Sequence, residues 1–313
     1  MIICRKFDAW CRSITDEGLR KMVEQNTILT GGAIVTLLTE NKVNDFDFYF
    51  RNRETAAAVA AYYAKQFKAT KSPRFHNGKE VEIYVETRED DRVKIIVKSA
   101  GIAGSQNESK PYEYFEQGGN ASEYLNDIEG SVVSEEVKKV LDGATEPDKA
   151  EDKKEDEKAR YRPIWLTSNA ITLSDKIQIV VRFYGDPAQI HENYDFVHCT
   201  NYWTSWERRV TLNQQALECI MTKELRYIGS KYPVASVFRV RKFIERGWTI
   251  GAGQLLKIVM QCAALDFNDY ATLEEQLTGV DVAYFKELLD KMKAKSPTEV
   301  DKSYLIQLID RMT

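Results

Sequence analysis

The sequence predicts an α/β (α+β) head built on a mixed sheet, followed by a helical C-terminal domain. Short β-branched or alternating runs recur between residues 28 and 198, separated by segments with helical spacing. From Asn213 onward helical spacing dominates, with Pro233 and Pro297 as punctuation. Near the start, Thr30-Gly31-Gly32-Ala33 is followed at the end of an apolar run by Asp45-Phe46-Asp47-Phe48-Tyr49-Phe50. The head is assigned to residues 1–210 and the helical neck and tail to 211–313.

Each element has its own signal. Residues 5–26 carry Trp10, Ile14, Leu19 and Val23 as an apolar stripe and are expected to be helical. Ile28-Leu29-Thr30 is a short strand ending at the glycines, and Ala33 to Glu40 a short helix running into a turn at Asn41-Lys42-Val43-Asn44. The aspartates then lie on a strand, and the Ala-rich stretch from Arg53 to Phe67 is a crossover helix. Val81–Val85 and Val93–Val97 form a hairpin around Arg88-Glu89-Asp90-Asp91. Gly101 to Asn120 has loop composition. Residues 134–160 hold a charged run, Glu146 to Lys158, with almost nothing to bury, and are expected to be a mobile or solvated insertion within the head. Strands resume at Ala170–Leu173 and Lys176–Val181 around Ser174-Asp175. Asp186-Pro187 opens a short helix, and Tyr194–Cys199 is expected to be another strand.

The glycine–aspartate constellation carries the chemistry. Paired glycines let backbone approach a phosphate, because no Cβ intervenes. Carboxylates at i and i+2 of a strand share a face and together can hold a divalent cation. Taken without its context, Asp45-Phe46-Asp47 reads first as the solvated side of a half-buried strand. The glycines and the intervening helix turn the balance toward a site.

At these residues the chain resembles the DNA polymerase beta-like nucleotidyltransferase superfamily, whose signature is Gly-Gly or Gly-Ser followed by a spaced Asp-x-Asp. It is most similar to the head of tRNA CCA-adding enzymes and bacterial poly(A) polymerases, though Val35 and Thr36 stand where those carry Arg-Asp. Pro233 to Ile250 resembles their neck helix, with Arg239, Lys242, Phe243 and Gly247-Trp248 at matching positions and one residue fewer before the glycine. The Glu-Asp-x-x-Arg motif with which CCA enzymes read bases has no counterpart downstream. The segment from Ile177 to Phe196 also resembles divergent, including viral, nucleotidyltransferase-like proteins.

The resemblance implies metal-dependent transfer of a nucleoside monophosphate from a nucleoside triphosphate to an acceptor hydroxyl, with an RNA (tRNA-like) 3′ end as the expected acceptor. Thr30, Gly31 and Gly32 would cradle the triphosphate, and Asp45 and Asp47 would bind Mg²⁺ or Mn²⁺. Asp195 is the first candidate for a third catalytic carboxylate and metal ligand, with Glu82 and Glu86 as alternatives. Arg239, Arg241 or Lys242 would neutralise phosphate charge. A catalytically inactive binding or assembly protein on the same fold, or a tRNA-modifying toxin, are the rival readings.

Composition narrows the field. A chain of 313 residues, 43% hydrophobic and 29% charged, can bury a substantial core. Its net charge of −4 argues against a generally basic nucleic-acid coat. No apolar run approaches the ~20 residues of a membrane span, and the N-terminus has no signal-peptide stretch. Cys4, Cys11, Cys199, Cys219 and Cys262 are scattered, without a Cys-x-x-Cys, so reduced thiols in a cytoplasmic setting are expected. His198-Cys199 lacks metal-ligand spacing and is expected to be packed. Trp203 and Trp206, near Tyr202 and Arg208-Arg209, form an aromatic packing cluster or a base-stacking platform.

Overall fold

A computed structural model describes residues 2–70, the strand residues 75–76, 79–80, 82–87 and 93–98, residues 160–166 and 169–267, and positions 269, 272 and 276. In chain order the elements are α1 (Ile2–Ser13), α2 (Glu17–Asn26), β1 (Thr27–Thr30), α3 (Gly32–Leu38), β2 (Phe46–Phe50) and α4 (Arg53–Thr70). Next come β3 (Phe75–His76), β4 (Lys79–Glu80), β5 (Glu82–Thr87), β6 (Val93–Lys98), β7 (Pro163–Leu166), β8 (Ala170–Leu173) and β9 (Ile177–Tyr184). The rest are α5 (Pro187–His191), β10 (Tyr202–Thr204), β11 (Val210–Thr211), α6 (Gln214–Thr222), β12 (Glu224–Leu225), α7 (Pro233–Glu245), β13 (Thr249–Ile250) and α8 (Ala252–Ala263).

The described residues form two compact units. Those before Asn193, with Asn201–Leu212, make the first; Asn193–Thr200, with those from Asn213 onward, make the second. Residues 193–200 thus fall in the second unit together with the helical part from Asn213. The loop expected over 101–120 and the charged insertion lie outside the described residues, except for Arg160.

The first unit is organised by a seven-stranded sheet in the order β11-β10-β1-β2-β9-β8-β7. β2 and β9 pair in parallel, and every other pairing in this sheet is antiparallel. The mixed α/β architecture expected from the sequence is thus present. Alternation along the strands sends Leu29, Phe48, Ile171, Ile179 and Trp203 into one core. That core is closed by Phe7 and Trp10 of α1, Leu19 and Val23 of α2, and Val59, Ala60 and Tyr63 of α4. Trp10 stacks on Phe48 at 4.9 Å, and its indole N–H donates to the Tyr63 hydroxyl at 2.8 Å, so its one polar atom is satisfied inside the core.

The first helical stretch differs from expectation. It breaks at Ile14-Thr15-Asp16, where the Asp16 carboxylate accepts the Leu19 N–H at 2.9 Å and starts α2 as an N-cap. One apolar stripe is thereby carried by two helices. The hairpin forms as β5 and β6, with Glu86 opposite Lys94. The β8–β9 turn places Asp175 and Lys176 at positive φ.

In the second unit, α7 ends at Gly247, where φ is 80° and the Trp248 N–H returns to the Phe243 carbonyl at 3.0 Å. The expected strand over Tyr194–Cys199 is not formed. Phe196 makes a single bridge to Tyr227, and Val197–Cys199 is a 3₁₀ turn. The alternation of Tyr194, Phe196 and His198 arises from aromatic packing: Phe196 and His198 both meet Phe243, and His198 lies 4.4 Å from the Trp248 ring.

Candidate functional site

β1 and β2 run antiparallel with Leu29 opposite Phe48 and Ile28 opposite Tyr49. One further step in this register sets Thr30 opposite Asp47, so the glycine turn leaves β1 beside the strand that carries the aspartates. The two halves of the motif, separate in sequence, share one end of the sheet. Asp47 lies on the face away from the core, because Phe46, Phe48 and Phe50 all enter the core. Asp45 immediately precedes the strand, near enough for its charge to act on Asp47.

Gly31 has φ 89° and ψ −150°, a conformation essentially reserved for glycine, and this places the chain at the start of α3. Gly32 is exposed, and a Cβ built there meets nothing within 4 Å. Among the described residues, no atom requires Gly32 to lack a side chain. The bare backbone beside the aspartates therefore suits the close approach of a phosphate.

Thr30 is fully buried and its hydroxyl is committed: it donates to the Asn201 carbonyl at 2.9 Å and lies 2.8 Å from His191 Nε2. Having given its proton to Asn201, it accepts from His191, which fixes the Nε2–H tautomer. Burial pushes the His191 pKa down to about 4, so the ring is neutral at physiological pH. Thr30 thus anchors the turn from beneath rather than offering its hydroxyl to a ligand. His191, at the end of α5, is a supporting residue that sequence reasoning missed; a lone histidine at a helix end gave no signal.

Burial and mutual repulsion set the electrostatics of the two carboxylates. Asp47 is half-buried and, among the described residues, its carboxylate makes no hydrogen bond or ion pair. Burial, with the Asp45 carboxylate adding repulsion, pushes its pKa up to about 7. A partly buried carboxylate beside a second acid is costly to ionise, and a divalent cation would relieve both effects. Oxygen ligands of this kind fit Mg²⁺ or Mn²⁺. Among the described residues, no group of three or more His, Cys, Asp or Glu gathers to hold a metal.

The remaining candidates lie on other elements. Asp195 belongs to the second unit and is buried, and its Oδ2 accepts from Ser236 Oγ at 2.9 Å and from Arg239 Nη1. This pairing accounts for Asp195 and Arg239 together: the acid among aromatics is neutralised by α7. Arg241 pairs with Glu245 on the exposed side of α7 at 3.0 Å, and Lys242 is half-buried. Glu86 is exposed, and the Glu82 side chain lies outside the described residues. His198 Nε2 lies 3.2 Å from Cys199 Sγ, and burial lowers the His198 pKa to about 3. Trp203 is core, whereas Trp206 is partly exposed under the Arg51 guanidinium at 5.1 Å.

Comparison with known proteins gives a family. A model described as Gabija anti-defense 2 family protein matches residues 1–109 and 113–223, which is most of the chain and includes both aspartates and the whole central sheet. The chain belongs to the Gabija anti-defense 2 family. One similar relative is "Gabija anti-defense 2" of Bacillus phage SPbetaL7, 25% identical over 120 residues. That alignment covers 38% of this chain and 30% of the relative, so the chain spans under a third of its length. Among solved structures, a tRNA-processing enzyme with CTP is similar at TM-score 0.39 and 11% identity, over 93% of this chain and 57% of that one. The CCA-adding enzyme of Bacillus stearothermophilus in complex with CTP is similar at TM-score 0.31 and 11% identity, over 85% and 48%. These two likenesses are too distant to add to the argument. Among the described residues, no helix is long and apolar enough to cross a membrane.

Proposed function

We propose that this protein binds a nucleoside triphosphate with a divalent cation at the Asp45–Asp47 end of its central sheet and transfers the nucleoside monophosphate to an acceptor hydroxyl, an RNA 3′ end being the acceptor class. The observation that carries the reading is Asp47: a half-buried carboxylate without a cationic partner among the described residues, its pKa raised to about 7, one register step from the Thr30-Gly31-Gly32 turn. Asp45 and Asp47 would hold Mg²⁺ or Mn²⁺. The ion, when bound, neutralises phosphate charge and polarises phosphorus toward attack. Gly31 aims the turn, and Gly32 lets backbone N–H groups reach phosphate oxygens. In the transfer, the acceptor oxygen bonds to the α-phosphorus, the bridge to the β-phosphorus breaks, and pyrophosphate and the hydroxyl proton leave.

A second reading, nucleotide capture without transfer, is favoured by the ion pair that occupies Asp195 and by the lack of a third metal-ligating acid among the described residues. The name of the family links such proteins to counter-defence, and either reading could serve that role. The test incubates the full chain with Mg²⁺, each α-³²P nucleoside triphosphate and RNA. Label in RNA that disappears in Asp45→Ala with Asp47→Ala supports transfer. Magnesium-dependent nucleotide binding without label supports capture. A wild-type protein that neither binds nor transfers would sink both.

A further inference from the structure

Asp47 does not stand alone on its face of the sheet. Across β9 its register partner is Gln178, and the partner of Gln178 on β8 is Thr172. On the other side, Thr30 pairs with Tyr202 of β10. Residues directly opposite in a sheet share a face, so Tyr202, Thr30, Asp47, Gln178 and Thr172 form one transverse polar row over five adjacent strands. Their chain neighbours Trp203, Leu29, Phe48, Ile177, Ile179, Ile171 and Leu173 all point into the core, which confirms the orientation of the row.

Hydrogen bonding separates the members of this row. The Thr30 hydroxyl is spent on Asn201 and His191. Gln178 and Thr172 are half-buried, yet among the described residues neither side chain makes a hydrogen bond. An amide carries both donor and acceptor groups, and leaving them half-dry without a partner is unfavourable unless something else supplies one. A neighbouring amide and hydroxyl with unused capacity, next to an uncompensated carboxylate, describe the polar floor of a ligand site.

We infer that Gln178, with Thr172 beside it, reads a ribose hydroxyl. This rests on the nucleotide-site reading of Asp47. The glycine turn lies on the β1 side of the aspartates and Gln178 on the opposite side, so a triphosphate cradled by the turn presents its esterified end toward β9. Adjacent strands are ~4.8 Å apart, about the span from a phosphate to the sugar it esterifies. An uncharged amide suits a hydroxyl there and gives no repulsion to phosphate, as a carboxylate would. The hydroxyl belongs either to the nucleotide or to the terminal sugar of the acceptor.

The experiment measures magnesium-dependent binding of ATP, CTP, GTP and UTP, and of their 2′- and 3′-deoxy analogues, to the full-length wild type, Gln178→Ala and Thr172→Val. If the nucleotide sugar is read, Gln178→Ala weakens the ribonucleotide about five- to tenfold, the loss of one hydrogen bond, and leaves the matching deoxy analogue unchanged. If the acceptor sugar is read, nucleotide affinities stay level. The KM for an RNA ending in ribose then rises by a similar factor, relative to one ending in deoxyribose. Gln178→Asn, which keeps the amide, restores part of the discrimination, and thermal unfolding confirms that the variants fold. Equal weakening of ribo and deoxy ligands, or no change in either arm, overturns the inference alone. Absence of magnesium-dependent binding in wild type overturns the site reading with it.

Discussion

On one side of the central sheet Leu29, Phe48, Ile179 and Trp203 are completely shielded from water and interlock with three helices. On the other side their immediate chain neighbours, Thr30, Asp47, Gln178 and Tyr202, are polar, and the side chains of Asp47 and Gln178 have no hydrogen-bonding partner among the described residues. The same strands thus serve two purposes by a period of two. The first set gains by leaving water; the second is held in place at the expense of its own stability. Side chains that weaken a fold and have good geometry for a ligand are expected at functional sites. The contrast between these faces can be tested directly.

The largest effect belongs to the core side. Phe48→Ala removes a ring sandwiched among Phe7 and Trp10 and is expected to lower stability by about 3–5 kcal/mol in urea unfolding. Gln178→Ala, one strand away on the opposite face, should stay within about 0.5 kcal/mol. Comparable losses from both would abolish the distinction.

Asp47→Asn is expected to act in the opposite direction. The folded-state pKa of Asp47 is raised to about 7 from an ordinary value near 3.8, so folding favours its protonated form. Well below pH 3.8 the group is neutral in both states and has no effect; as pH rises toward 7, the unfolded chain ionises first and stability falls. Replacement by Asn should therefore stabilise the metal-free protein by roughly 2–4 kcal/mol above pH 7 and by well under about 1 kcal/mol at pH 4. Added Mg²⁺ should raise the wild-type Tm, EDTA should reverse it, and the Asn variant should respond to neither.

His191 gives the reverse pH dependence. Its folded pKa is lowered to about 4 from 6.5, so its stabilising contribution is complete above pH 6.5 and fades as acid protonates it. Over that window the wild type should lose roughly 1–2 kcal/mol more than His191→Gln. His198 titrates in the same sense in both proteins and cancels from the difference. A parallel pH profile would show that His191 is not held neutral under Thr30.

The smallest stability effect should accompany a distinct functional one. Gly32→Ala places a methyl in open space at the start of α3 and should raise stability by up to about 1 kcal/mol. The same methyl should weaken triphosphate binding, measured by calorimetry with Mg²⁺. Unchanged affinity would remove the phosphate-cradle role of Gly32.

Much of the frame was legible in the sequence because hydrophobic alternation is a local property. Phe46, Phe48 and Phe50 announced both their strand and its buried face, and Asp47 followed by parity. The Asp16 cap was legible in principle, but the apolar stripe running through it concealed the break. Asp195 misled for a related reason: Tyr194, Phe196 and His198 alternate like a strand, while their packing is decided by Phe243, Trp248 and Arg239, remote in sequence. Gln178 and His191 were invisible as site residues, since their significance comes from register and from a contact with Thr30 across 161 positions.

The single parallel pairing in the central sheet has a consequence for how the protein is made. Asp47 meets Gln178 only after all the intervening chain has been synthesised, at roughly 5–20 residues per second. Until then the β9 edge of β2 is unpaired, and closing so long a loop slows the folding search. A nascent chain therefore emerges with its glycine turn and aspartates already present but without the strand that seats them. Competence for ligand should arrive late and abruptly, as the product of one distant strand docking.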